Sequence, residues 1–272
     1  YKAETRIPQP VSRSDAEAPH RPISWEPALA SAAEAVKRIA PNQLAIIASG
    51  RMTNEELYMV RHLAAQIGTD MVDIVPRMGE SDGMLISADR NPNTNGARLV
   101  LDIEPGSRLD AIREGVRSGS IKGILSLGED LISPEAGFTA EDLDKLDYLF
   151  MTAHSANETA RHADLVLPGV TYAEKFGTMI NVTGRIQRLN RAIQPIGYAR
   201  DDWQIFRDIT LLLGGNPALK DFNSALDILT AMSTEYGALN GVSWGSIGDG
   251  GQPILETGVT IPVVEREKNQ GR

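Results

Sequence analysis

The stretch from Tyr148 to Gln187, YLFMTAHSANETARHADLVLPGVTYAEKFGTMINVTGRIQ, decides how the rest of the chain is read. Tyr148 to Met151 is an unbroken apolar run of buried-strand length, and Thr152-Ala153-His154-Ser155 leads from it into a short helical pattern. Ser155 with Glu158 three residues on has capping-box spacing, which predicts bare backbone N–H groups at a helix start just past a strand end. Such a start is a natural anion site. A second apolar run, Leu165-Val166-Leu167, closes on Pro168-Gly169, and a polar, glycine-marked segment follows from Gly177 to Gln187.

Upstream, Gln43 to Ala48 reads as a buried strand, Ser49-Gly50-Arg51 as a turn, and Thr53-Asn54-Glu55-Glu56 as a capping box. The helix from Glu55 to Gln66 stops at Gly68, and a second strand follows at Met71 to Val75. This βαβ order implies a parallel sheet. The same grammar repeats in a helix from Ser107 to Gly119, a strand over Ile121 to Leu127 and a short acidic helix from Glu141 to Leu146. Ser24 starts an earlier helix that ends near Pro41, while residues 76–98 read as loop. Downstream, Asp201-Asp202 caps a helix from Trp203 to Leu213, another runs from Asn223 to Thr234, and Val259 to Val264 is one late strand.

The fold class expected is α/β, a mostly parallel Rossmann-like sheet flanked by helices, with an extended N-terminal arm and an irregular C-terminal tail. The expected division is an arm at residues 1–22, rich in proline and charge and read as a flexible terminus, an α/β domain at 23–235 and a loop-rich tail at 236–272.

Composition narrows the function. With 272 residues the chain can bury a sizeable core. A net charge of −9 and no basic cluster argue against a nucleic-acid or anionic-membrane surface. The absence of cysteine removes disulfides, thiolate zinc sites and cysteine-held iron–sulfur clusters. Apolar runs such as Ile209 to Leu213 are too short to span a bilayer, so no direct membrane insertion is expected. A chain that opens on Tyr1 rather than Met is expected to be a piece of something longer.

Glu158-Thr159-Ala160, Ala163-Asp164-Leu165-Val166-Leu167-Pro168, Tyr172-Ala173-Glu174, Gly177-Thr178, Asn181 and Gly184-Arg185-Ile186-Gln187 together resemble the molybdopterin oxidoreductase superfamily. Within it the chain is similar to the large iron–sulfur subunit of respiratory NADH:quinone oxidoreductase, complex I. The resemblance implies a structural, partner-binding domain in an assembly that passes electrons from NADH to quinone, with this chain not catalytic by itself. It implies partners in the other peripheral-arm subunits and in the chain's own N-terminal iron–sulfur domain, the clusters being carried by the parent subunit. It also implies a cytoplasmic location, peripheral to the inner membrane. The alternative is a catalytic portion of a molybdopterin-dependent enzyme of formate dehydrogenase type. In metal-dependent relatives a motif similar to Val72-Asp73 through Arg77 leads to the metal-binding residue. Here that position is about Gly79, which has no side chain, so no cofactor is expected in this chain and molybdopterin belongs to the alternative.

The residues that a pterin site, kept or vestigial, would use are Ser49, Gly50, Thr152, Ser155, Asn157, Glu158, Thr159, Asp164, Asn181 and Arg185, at the presumed binding edge of the sheet and in the segment that follows. Packing and capping account for the same residue types without a ligand. Arg185 and Arg188, with Lys175 and Asn181, have the donors to clamp a phosphate or a partner carboxylate, although Asp164 and Glu174 equally suit them as internal partners. His154 and His162 lack a third ligand in sequence and read as hydrogen-bonding residues rather than a metal site. Glu129-Asp130 at a strand end reads as a solvated acidic turn before an acid/base pair, and the oxygen-rich run from Asp82 to Asn95 as a turn rather than a calcium loop.

Overall fold

The computed structural model describes residues 4–15, 17–84 and 86–259. The first elements are two short strands, β1 (Val11–Ser12) and β2 (Arg21–Pro22), then α1 (Trp25–Arg38), β3 (Leu44–Ala48), α2 (Asn54–Ile67) and β4 (Val72–Ile74). Thr53 caps α2 through a complete capping box with Glu56, and Gly68 ends it in the left-handed region at φ 79°. Next come α3 (Thr94–Leu101), α4 (Leu109–Ser118), β5 (Gly123–Leu127), α5 (Ala140–Leu143), β6 (Tyr148–Ala153), α6 (Glu158–His162) and β7 (Leu165–Pro168). The chain continues through β8 (Gly177–Ile180), β9 (Arg185–Leu189), α7 (Asp202–Leu212), α8 (Ala225–Glu235), α9 (Trp244–Ile247) and β10 (Gln252–Pro253).

A seven-stranded sheet runs β2-β1-β7-β6-β5-β3-β4, in which β7, β6, β5, β3 and β4 are mutually parallel and β1 and β2 are antiparallel additions. Residues alternate across it: Leu44, Ile46 and Ala48 of β3 pack toward α1, α2 and α7, whereas Ala45 and Ile47 pack toward α4. Both faces are therefore covered, and fully buried side chains such as Phe150 and Ile124 each contribute about 1.5–3 kcal/mol of burial. Within the parallel set the order is that of a doubly wound sheet whose direction reverses between β3 and β5. Ligands in such sheets bind at that reversal, beyond the carboxyl ends of the strands.

Four expectations need correction. The arm is not loose: β1 pairs with the edge of β7, Ile7 is buried, and Arg6 bridges to Ser155. Residues 94–98, expected as the end of a loop, belong to α3 (Thr94–Leu101), whose eight residues and interior Gly96 are too short and too broken to show a period. The segment from Gly177 to Gln187 is an antiparallel hairpin, β8 with β9, joined by β10 into a second sheet. Finally, Asn157 rather than Ser155 caps α6, its Oδ1 accepting from the Ala160 N–H at 2.9 Å. The late strand expected over Val259 to Val264 lies, after its first residue, outside the described residues.

Candidate functional site

At the sheet reversal the strand ends enclose a cleft of about 190 Å³. Ser49, Arg51 and Met52 follow β3, Gly128 follows β5, His154 follows β6, and Gly169 to Tyr172 follow β7, while Lys175 and Asp202 form part of its lining. The Ser49 Oγ accepts from the Arg51 N–H at 3.2 Å, so the turn is held by its own serine. Gly50 is there because Asn91 presses on it: a Cβ would sit 2.5 Å from the Asn91 Cγ. His154 is on the rim, and burial, followed by Arg6 and Lys175, holds its imidazole below the ordinary histidine range.

Below the cleft lies a buried polar seam. Glu56 completes the α2 capping box and pairs with Lys175 at 2.8 Å, and Lys175 is 3.9 Å from Asp202. Glu55, fully buried, accepts from the Thr178 N–H and hydroxyl at 2.8 Å each. At the α2 N-terminus, the place where a doubly wound sheet would receive a phosphate, the Thr53 hydroxyl accepts from the Glu56 N–H and the Glu56 carboxylate accepts from the Thr53 N–H. Neither Glu55 nor Asp202 stood out in sequence except as a cap, because their partners are far away; Glu55 meets Thr178 across 123 positions.

Of the ten expected pterin-site residues, Ser49 lines the cleft and the others serve mainly to hold the fold. Thr152 is fully buried in β6 beside Asp202. Ser155 contacts His154 at 2.9 Å, Asn157 caps α6, and Glu158 pairs with Arg161 at 3.2 Å. Thr159 donates to Asp130 at 2.6 Å and accepts from the Leu131 N–H. Asp164 accepts from the Leu149 N–H at 2.7 Å and pairs with Arg13. Asn181 closes the hairpin turn, its Oδ1 accepting from Thr183 and from the Arg185 N–H, and the Arg185 guanidinium donates to the Gly250 and Gly251 carbonyls. Asn181 also borders a wider hollow of about 620 Å³ between residues 86–92 and the hairpin.

The other candidates have internal partners. Glu129 is buried, not solvated, and receives both Arg77 nitrogens at 3.0 and 2.5 Å. Lys175 and Arg188 pair with Glu56 and Asp249 rather than clamping one anion, and Asp164 and Glu174 neutralise Arg13 and Arg6 instead of them. His162 meets Asp144, whereas His154 meets Ser155. Among the described residues no group of three or more His, Asp or Glu is placed to hold a metal.

The pterin-borne metal of the alternative reading does not fit the residues at the position where that reading puts its ligand. Gly79 offers no ligand, and the Arg90 guanidinium fills the space beside it, with Nε 2.7 Å from where a Cβ would sit. A cation there opposes a second cation.

Residues 86–210 match the model of the family described as molybdopterin oxidoreductase. A protein of Staphylococcus haemolyticus designated, by name only, a formate dehydrogenase is 32% identical over 144 residues, covering 52% of this chain and 15% of that protein. The NADPH-Fe(3+) oxidoreductase subunit alpha of Geobacter sulfurreducens is 33% identical over 136 residues, covering 49% of this chain and 16% of the relative. The chain thus matches about a sixth of the length of these relatives, which lend no specific support to the complex I branch. Among solved structures, acetylene hydratase from Pelobacter acetylenicus superposes with a TM-score of 0.60 over 90% of this chain and 66% of that one, at 9% identity, which speaks to fold alone. The stretch from Tyr148 to Gln187 lies inside the matched residues, so it is this part of the chain that is similar to the molybdopterin oxidoreductase family.

Proposed function

We propose that this chain is a scaffold domain of a larger oxidoreductase of the kind its relatives are named for, formate dehydrogenase or NADPH-Fe(3+) oxidoreductase. In this reading it supplies a cleft wall and partner surfaces and does not itself hold the metal. The observation that carries the scaffold role is the Arg90 guanidinium beside Gly79, at the position where metal-dependent relatives place their ligand. The capping box at the start of α2 supports it, because the Thr53 hydroxyl and the Glu56 carboxylate take N–H groups that a phosphate would otherwise receive. Partners are then the remaining domains of the parent protein and its companion subunits.

The test is dye reduction driven by formate or by NADPH, run on the intact parent protein and on this chain alone. The proposal expects turnover in the parent and none in the chain; turnover by the chain alone overturns it. The loss of the metal ligand at Gly79 also favours a second reading, the same scaffold role in the large iron–sulfur subunit of complex I, cytoplasmic and peripheral to the membrane. NADH-driven quinone reduction by the parent assembly, without formate or NADPH activity, selects that reading.

A further inference from the structure

Four carboxylates and two cations meet beneath the cleft: Glu55 and Glu56 from the start of α2, Asp201 and Asp202 from the start of α7, Lys175 from the approach to β8, and Arg191 beyond β9. Burial makes the imbalance consequential, for Glu55, Glu56, Lys175 and Asp202 are all buried. Lys175 sits 2.8 Å from Glu56 and 3.9 Å from Asp202, and Arg191 serves Asp201 at 2.7 Å. Glu55 has no cation of its own among the described residues; its partners are neutral donors, chiefly the N–H and hydroxyl of Thr178. The remaining charged neighbours look elsewhere: Glu174 is taken by Arg6, and His154 and Arg51 stand on the cleft rim. Water has little access to compensate the surplus negative charge, and an uncompensated buried charge neutralises instead.

We propose that this cluster is a proton-binding site: at neutral pH it holds a proton on the buried Glu55 or Asp202 carboxyl, and losing that proton loosens the seam between α2, β8 and α7 under the cleft. Burial pushes the Glu55 carboxyl up to about 7 and Asp202 well above the ordinary aspartate range. Asp201 is also raised by burial. Burial pulls the Lys175 ammonium down, but Glu56 and Asp202 outweigh it and leave the lysine above its ordinary value, so the proton in play belongs to the carboxylates. A carboxyl raised in this way contributes stability that is whole below its unfolded pKa and is lost as pH rises through about 7. Because Lys175 and Asp202 line the cleft, loosening the seam there changes the cleft itself.

Infrared difference titration of the full chain, with amide hydrogen exchange of residues 53–57 and 175–178 alongside, tests the proposal. The expected result is a protonated-carboxyl band lost with a midpoint near 7, weakened in Glu55→Gln. In parallel, exchange corrected for its intrinsic pH dependence rises about tenfold between about pH 6 and about pH 8.5 in the wild type and stays flat in Glu55→Gln. Asp202→Asn substitutes where Glu55→Gln fails to fold, and the wild-type titration stands without either variant. Absence of the band at the acid end, or exchange in these residues that does not change with pH, overturns the proposal.

Discussion

Arg6 shows what single residues do here. Its guanidinium reaches the buried Glu174 carboxylate at 2.8 and 3.0 Å and also donates to the His154 carbonyl, joining the arm to both ends of the family-like stretch. Burial alone pushes the Glu174 carboxyl up, but Arg6 and the Thr171 N–H hold it below the ordinary range. Arg6→Ala leaves that carboxylate buried without its partner and is expected to cost about 3–5 kcal/mol, read as a fall in the urea midpoint. A loss near zero would mean that water replaces the guanidinium. The contribution of the pair is present at neutral pH and is lost as pH falls through the depressed Glu174 value. None of this was legible in sequence, since Arg6 and Glu174 are 168 positions apart and carry no shared local pattern. Ser49 at the end of its strand was legible, because an apolar run closing on a Ser-Gly turn fixes the strand's end without any knowledge of its neighbours.

Elements divide along the same line. The strands β3, β5, β6 and β7 show as apolar runs because both sheet faces are buried, and α2 shows because its cap, its period and its stop agree. The hairpin β8–β9 did not show. Its outer N–H groups are satisfied by side chains of other elements, Thr178 by Glu55 and Ile180 by Asn93, which leaves the sequence looking like polar loop. Thr53→Ala removes the hydroxyl that accepts from the Glu56 N–H at 3.2 Å and is expected to cost about 1–2 kcal/mol in thermal unfolding. No change in melting would show that the Glu55–Thr178 clamp alone fixes the helix start. Deleting residues 1–22 uncovers the β7 edge now paired by β1, and light scattering should then report larger species than for the full chain. Unchanged scattering would show that the edge is protected by something other than the arm.

For the whole molecule, the fold class could be read from the order of elements, and the doubly wound arrangement could be read in outline. The use of the cleft could not. The polar residues at the strand ends read equally as a pterin site, kept or vestigial, and as packing and capping; in the structure they are spread over caps, turns and ion pairs, with Ser49 facing the cleft. That distribution is what the proposed scaffold role expects, with the Arg90 guanidinium beside Gly79. No helix among the described residues is long and apolar enough to cross a membrane. The most direct test of the central claim is native mass spectrometry of this chain, purified from cells that make molybdopterin, with molybdenum and tungsten determined on the same sample. The account predicts the mass of the bare 29.5 kDa polypeptide and metal far below one atom per chain, whereas a retained pterin mass with close to one metal atom per chain would contradict it.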